Sequence, residues 1–351
     1  MNNHNYLLSK HKQLDYLCRH PENRIFVSDW YCDHPFSRKY IPEKIFEKNH
    51  LSDKNLLYYC FPNDSFEIHE EICKFHQKHD DVTYTNDEIY LGAGMTPLIT
   101  AQIIMMKTLG FTEFYYTKPL YYTIYYLAKN LDLKLIPICN IPLNKSSIKL
   151  NLPSKKACLI ICDPIWYMGK AIMPEYIELL NQWQKKTGSY ILVDGAFQYM
   201  KWNIDDKIEP TAQFDKNLTF RSICPTKSLA IHGIRFSYTL LPKRHQEDMR
   251  YAYANLTGSV CIYSHKAALQ IMKILNSNIS NSELLNYIKQ KYSEFVKRKI
   301  FVEDIGAELG YFIFVKMLGD KSKFITMDQD FFDTTNYPDY VRFNLLLPHK
   351  I

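Results

Sequence analysis

Residues 224–235 read CPTKSLAIHGIR and follow the segment Leu218–Ile223, which we expect to form a buried strand. This order puts Lys227 just beyond the end of the strand. A lysine amino group that loses its water there has a lowered pKa and can form an imine. Arg235 follows eight residues later, and its guanidinium offers paired donors that match a phosphate. Either residue alone would more often be a solvated basic side chain. A binding role for the pair therefore needs support from other segments of the chain.

Strand-like and helix-like segments alternate around this stretch. The continuous apolar runs 157–162 and 190–193 are typical of strands buried on both faces of a parallel sheet. Residues 174–186 begin with proline and precede Gly188, as a helix with ordinary end signals does. The alternation predicts an α/β domain with a mainly parallel sheet. Ligands of such domains bind at the carboxyl ends of the strands.

The pattern changes after about Leu241. Residues 244–273 and 282–298 look largely helical, and two β-like runs follow at 311–315 and 340–346. We therefore expect residues 51–245 to form a large domain and residues 246–351 a smaller α+β domain. The N-terminal segment 1–50 is expected to contribute to the smaller domain.

Composition narrows the class of protein. The chain has 351 residues, of which 46% are apolar and 23% charged, which is the balance of a globular protein. The net charge of +6 is dispersed rather than gathered in a patch, which argues against nucleic-acid binding. No apolar run approaches the roughly 20 residues that span a bilayer. The nine cysteines form no CxxC pair or zinc-ligand pattern, and no secretory signal is recognised, so we expect a cytoplasmic protein without a bound metal.

Two further segments lie where predicted strands end. Residues 92–96 read GAGMT, and a glycine-rich turn that opens a helix suits a phosphate. Such turns are common and are often only structural. Residues 119–121 read PLY, and the aromatic ring of Tyr121 could stack on a flat ligand. Since the chain has 27 tyrosines, any one of them is more often a residue of the core or the surface than a ligand-binding residue.

Two charged residues stand inside apolar strands. Asp194 ends the run 190–193, and a buried carboxylate needs a partner. That partner could be a protonated ring nitrogen of a ligand, or Asp194 could cap the next helix; the sequence leaves both open. Arg342 lies within the β-like run 340–346. It requires an anion, which could be a substrate carboxylate or a structural aspartate.

Taken in this order, the segments resemble the class I and II aminotransferases, which have the fold type I of enzymes that depend on pyridoxal 5'-phosphate (PLP). The resemblance covers roughly residues 59–342. It implies a large domain with a mainly parallel seven-stranded sheet flanked by helices, a smaller α+β domain, and a homodimer. It also implies that Lys227 carries the cofactor as a Schiff base and is the catalytic residue, and that Arg235 binds the phosphate.

The resemblance gives roles to other residues as well. Asp194 would hold the pyridinium nitrogen, Tyr121 would stack on the ring, and Arg342 would bind the substrate α-carboxylate. The remaining cofactor contacts would come from Gly94, Met95, Thr96 and Thr226, and from Tyr59 of the second subunit.

The chain departs from the family pattern near the cofactor's ring oxygen. Residues 163–169 read DPIWYMG, so that Trp166 replaces the asparagine that donates to this oxygen. Phe197 replaces the tyrosine that shares the contact, and Tyr167 or Tyr199 could compensate. Cys224 stands where relatives have a hydroxyl.

These departures keep three hypotheses open. The first is an aminotransferase that acts on an amino acid and a 2-oxo acid. The second is another PLP enzyme of the same fold, such as a lyase, a cyclase or an oxidase. The third is a non-catalytic PLP-binding protein, against which the intact Lys227, Asp194 and Arg235 argue.

Overall fold

The structure is a computed structural model that describes residues 3–36, 38, 57–63, 65–203, 209–277, 281–302 and 305–347. The described helices are α1 (Asn3–Arg19), α2 (Phe66–Asp80), α3 (Met95–Thr108), α4 (Tyr122–Asn130), α5 (Pro174–Thr187), α6 (Pro225–Ser228), α7 (Gln246–Thr257), α8 (Ile262–Asn276) and α9 (Ser282–Lys297). The described strands are β1 (Ile25–Phe26), β2 (Ile89–Gly92), β3 (Glu113–Tyr116), β4 (Lys134–Pro137), β5 (Cys158–Cys162), β6 (Tyr190–Gly195), β7 (Thr219–Ile223), β8 (Ser237–Leu240), β9 (Phe301–Val302), β10 (Phe312–Met317), β11 (Phe324–Ile325) and β12 (Tyr340–Asn344).

A seven-stranded sheet in the order β2-β8-β7-β6-β5-β3-β4 forms the centre of the molecule. In this sheet β8 runs antiparallel to both of its neighbours, β2 and β7, and all the other strands run parallel to one another. Strands β5, β6 and β7 are buried at every position, as expected for strands covered by helices on both faces. The predicted α/β class and the mainly parallel sheet are confirmed. Because the parallel strands point the same way, their carboxyl ends share one edge.

Helix ends follow the signals in the sequence. Helix α5 has Pro174 in its first turn and ends at Gly188, whose φ of 63° is in the left-handed region, where glycine carries no side-chain penalty. Residues 244–273 were expected to be largely helical, but two helices occupy them. Gly258, with a φ of 63°, follows the last residue of α7, and α8 begins only at Ile262.

A smaller antiparallel sheet in the order β12-β10-β9 comes from the C-terminal part of the chain. Arg342 of β12 lies opposite Phe314 of β10 in this sheet. The N-terminal strand β1 pairs in parallel with β11, so the residues that follow β1 run beside the C-terminal strands. The domain boundaries near residues 51 and 245 stay a prediction. No described helix is long and apolar enough to cross a membrane.

Candidate active site

A cavity of about 300 Å³ opens at the carboxyl ends of the central strands, within the size range of small-molecule sites. Most of the residues singled out from the sequence lie on its wall. Those residues are Met95, Thr96, Tyr121, Trp166, Asp194, Phe197, Thr226, Lys227 and Arg235. Of the tyrosines suggested as compensating residues, neither Tyr167 nor Tyr199 lines it.

Lys227 lies in the short helix α6, directly after β7. Its ammonium nitrogen is 4.5 Å from the centre of the Trp30 ring and 5.5 Å from that of Phe197. Burial lowers the pKa of Lys227 to about 8, and the positive charges of Arg342 and Arg235 act in the same direction. A lysine with such a pKa is partly a neutral amine near physiological pH, so it is a competent nucleophile and base.

The glycine-rich turn lies against Arg235. Gly94 precedes the first residue of α3 and has a φ of 105°. A Cβ atom at this position would lie 2.5 Å from Nη2 of Arg235, so a side chain here would force the guanidinium out of its present position. The preceding amide, that of Ala93, donates a 2.6 Å hydrogen bond to the hydroxyl of Tyr253. The positive end of α3 and the Arg235 guanidinium therefore converge, which is the arrangement that binds a phosphate.

Asp194 lies near the end of β6 with its carboxylate on the cavity wall. One carboxylate oxygen accepts a 3.2 Å hydrogen bond from the amide of Ala196, and the other faces the Cys162 thiol at 3.9 Å. No ion pair involves it in the part of the chain that the structure describes. Burial raises the pKa of Asp194 to about 6. The amide contact is a local turn, and the carboxylate still lacks the cationic partner that a protonated ring nitrogen would provide.

Aromatic rings form much of the remaining wall. The Tyr121 ring meets Trp166 edge to face, with 5.3 Å between the ring centres. The Trp166 ring also lies nearly parallel to Trp30 at 6.3 Å. The indole nitrogen of Trp166 is buried and has no hydrogen-bond partner among the described residues. A flat ligand ring would thus be held between aromatic faces.

Arg342 is completely buried behind the cavity wall. Its guanidinium carbon lies 4.3 Å from the Trp30 ring centre and 4.4 Å from that of Phe312. Its Nη2 donates a 2.9 Å hydrogen bond to the carbonyl oxygen of Ser28, and its Nε donates to the Ser28 hydroxyl. Nη1 has no partner, and no carboxylate forms an ion pair with Arg342, within the described ranges. Burial lowers the pKa of Arg342 to about 9, and the charge of the nearby Asp29 acts in the opposite direction, so no anion among the described residues is in direct contact with this cation.

Tyr59 lies apart from this cavity. Its side chain is 80% exposed, and the neighbouring carbonyl of Cys60 accepts a hydrogen bond from the amide of Val260. Within this one chain Tyr59 makes no part of the cavity wall.

Sequence reasoning missed two residues at the site. Trp30 lies close to both Lys227 and Arg342, and no periodicity in its segment indicated this. His232 lines the cavity, donates to the carbonyl oxygen of Trp30 at 2.7 Å and contacts the Tyr311 hydroxyl at 2.5 Å. Its position between Lys227 and Arg235 in the sequence was a signal that could have identified it.

Comparisons with known proteins identify the family and the fold. The family described as aminotransferase class I and II matches residues 34–323. The sequence matches no curated protein. The fold is similar to that of aspartate aminotransferase from Thermotoga maritima, with 16% identity, 97% of this chain and 92% of the other covered, and a TM-score of 0.76. It is also similar to N-succinyldiaminopimelate aminotransferase from Mycobacterium tuberculosis, with 14% identity, 95% and 92% covered, and a TM-score of 0.75. YbdL of Escherichia coli, with a methionine aminotransferase function, has 15% identity, 95% and 92% covered, and a TM-score of 0.71.

Proposed function

The chain belongs to the aminotransferase class I and II family, a family that implies PLP as the cofactor, and on that premise we propose how its own residues carry out amino-group transfer. The reaction moves the amino group of an amino acid to a 2-oxo acid. Lys227 holds the cofactor and transfers the proton. Arg235 with the Gly94 turn, Asp194, and Arg342 bind the phosphate, the ring nitrogen and the substrate carboxylate respectively.

One observation carries the proposal. A single cavity holds a lysine of lowered pKa, a buried carboxylate without an ion-pair partner, and an arginine packed against a glycine that has no room for a side chain. These three groups fit the aldehyde, the pyridinium and the phosphate of PLP. Met95, Thr96 and Thr226 also line the cavity. The backbone amides of Met95 and Thr96 and the hydroxyls of Thr96 and Thr226 would add polar contacts to the phosphate.

PLP, when bound, supplies an electron sink for negative charge at the substrate α-carbon. The Asp194 carboxylate would accept a hydrogen bond from the protonated ring nitrogen and would keep that nitrogen charged. Nζ of the neutral Lys227 would take the α-proton of the amino acid, and the ammonium group that results would then donate this proton. Arg342 orients the carboxylate of the amino acid, while Tyr121 holds the ring by stacking. The aromatic wall excludes water from these groups and strengthens each charge interaction.

We also propose a cytoplasmic homodimer. All nine cysteines are free of disulfides, which supports a reducing compartment. The 80% exposed Tyr59 side chain is available to a second subunit. Gel filtration with light scattering at micromolar concentration tests the assembly, and a monomeric species with bound cofactor would contradict it.

The reaction is tested with the purified holoenzyme and one amino acid at a time, without any 2-oxo acid. We expect one equivalent of 2-oxo product per active site and no ammonia, followed by continuous turnover once a second 2-oxo acid is added. Continuous release of ammonia without an acceptor would instead indicate a lyase or an oxidase. Lys227→Ala should abolish the burst, and Lys289→Ala, a change at an exposed lysine, should leave it intact.

A further inference from the structure

A second cavity, of about 310 Å³, lies on the far side of Trp30 from the cofactor cavity. Trp30 lines both. Helix α1 and the paired strands β1 and β11 provide most of the other walls. Their apolar residues in this second cavity are Leu14, Phe26, Ile325 and Met327, the last lying just beyond β11.

The indole of Trp30 is close to both groups that an amino acid substrate must reach under the proposed function. Its ring centre lies 4.5 Å from Nζ of Lys227 and 4.3 Å from Cζ of Arg342. A substrate with its α-carbon near Lys227 and its carboxylate on Arg342 would therefore lie along this indole. The backbone amide of Arg342 donates to the carbonyl of Met327 at 2.8 Å, and Met327 lines the second cavity. The positive charge of Arg342 also contributes to the lowered pKa of His11, which lines the second cavity, so this cavity adjoins the proposed carboxylate position.

The charged residues of this second cavity are both acidic. Asp15 stands at its exposed rim, and the partly buried Asp29 adjoins Trp30. No lysine or arginine is among its described lining residues. His11 stacks on Tyr122 with 4.0 Å between the ring centres. Burial lowers the pKa of His11 to about 4, so its ring is neutral at pH 7 and does not offset the two carboxylates.

We propose that the cavity behind Trp30 receives the side chain of the substrate, and that it selects an amino acid whose side chain has an apolar stem and a positively charged tip. The inference rests on the proposed function, since it takes Lys227 and Arg342 as the groups that fix the α-carbon and the carboxylate. The apolar walls accept the methylene stem, and Asp29 with Asp15 attracts the tip. A dicarboxylic side chain would face two like charges.

The test measures binding of ligands that have a carboxylate but no α-amino group, so that no turnover occurs. One probe is 6-(trimethylammonio)hexanoate, whose quaternary tip forms no imine. Its neutral isostere is 7,7-dimethyloctanoate, and adipate represents the dicarboxylates. Dissociation constants are measured by calorimetry on the holoenzyme at low and high salt, and again on the protein without cofactor.

We expect the cationic probe to bind roughly fivefold to tenfold more tightly than its isostere at low salt, with adipate weakest. Asp29→Asn should remove most of this preference. Glu22→Gln, a change at an exposed residue outside the cavity, should keep it. Equal binding of the two isosteres, tighter binding of adipate, or an unchanged preference in Asp29→Asn would overturn the proposal.

Failure of this inference is distinct from failure of the proposed function. If the protein formed no visible cofactor band and still preferred the cationic probe through Asp29, the cavity's selectivity would stand and the enzymatic proposal would fall. If the holoenzyme exchanged amino groups but ranked the probes the other way, the enzymatic proposal would stand and the side-chain assignment would fall.

Discussion

Nη2 of Arg235 lies only 2.5 Å from the position that a Cβ atom at residue 94 would occupy, which is closer than such contacts come. A Gly94→Ala variant must therefore displace the guanidinium as well as hold a φ of 105°. We expect it to weaken PLP binding by roughly tenfold or more, equivalent to about 1.4 kcal/mol. Titration of the protein with PLP, followed by fluorescence or absorbance, measures this effect.

Gly110→Ala is the matched control. Gly110 has a similar φ of 95°, but a Cβ atom there would meet nothing within 4 Å. This variant carries the same kind of backbone penalty without the contact to Arg235. PLP should bind it as it binds the wild type. An equal loss in both variants would mean that backbone strain, and not the Arg235 contact, explains the effect.

Asp194→Asn should raise the stability of the cofactor-free protein while lowering activity. Burial raises the folded-state pKa of Asp194 to about 6 from 3.8, so the folded protein holds this proton more tightly than the unfolded one. The free energy of unfolding of the wild type therefore falls as pH rises from about 4 to about 6. In the variant, residue 194 does not titrate and causes no such fall. At pH 7 we expect a gain of roughly 1–3 kcal/mol, measured by urea unfolding.

The same variant should lose activity by at least about 100-fold once reconstituted with PLP, because an amide does not keep the ring nitrogen charged. Asp163, whose pKa burial also raises to about 6, is present in both proteins, so the difference between them isolates Asp194. Identical pH dependence of unfolding in the two proteins would contradict a buried, unpaired Asp194.

Lys227 should react with amine reagents at lower pH than the other lysines. Burial lowers its pKa to about 8 from 10.5, so its neutral form becomes abundant as pH rises through 8. Competitive acetylation of the cofactor-free protein, read peptide by peptide by mass spectrometry, gives this pKa directly. Exposed Lys289 serves as the internal reference, and coincident titration of the two lysines would show that Lys227 is not desolvated.

Arg342→Lys should impair substrate binding more than cofactor binding. The variant keeps the positive charge but loses the planar pair of donors that matches a carboxylate. We expect KM for the amino acid to rise roughly tenfold or more, with little change in the dissociation constant for PLP. Arg250→Lys, at an exposed ion pair with Glu247, controls for a general effect of the exchange. A change in PLP binding without a change in KM would assign Arg342 a structural role.

The chain order of the sequence was enough to predict the α/β class and to select Lys227, Asp194 and Arg235. Asp194 and Lys227 come at or just after the end of a buried strand, and parallel strands bring those ends to one edge. Arg235 comes just before β8, whose antiparallel direction places its first residue at the same edge. Trp30 was not predictable in this way. It follows a strand of only two residues, whose partner β11 lies about 300 positions later in the chain, and local patterns do not encode such a distant pairing. The second cavity, which Trp30 also lines, was missed for the same reason.

The most direct test of the account is borohydride reduction of the purified holoenzyme, followed by mapping of the modified peptide. We expect a visible absorption band that borohydride removes, and a single phosphopyridoxyl group on the peptide that contains Lys227. Lys227→Ala should have neither the band nor the label, whereas Lys289→Ala should have both. A label on another lysine, or no band in the wild type after PLP is added, would contradict the central claim that Lys227 holds the cofactor.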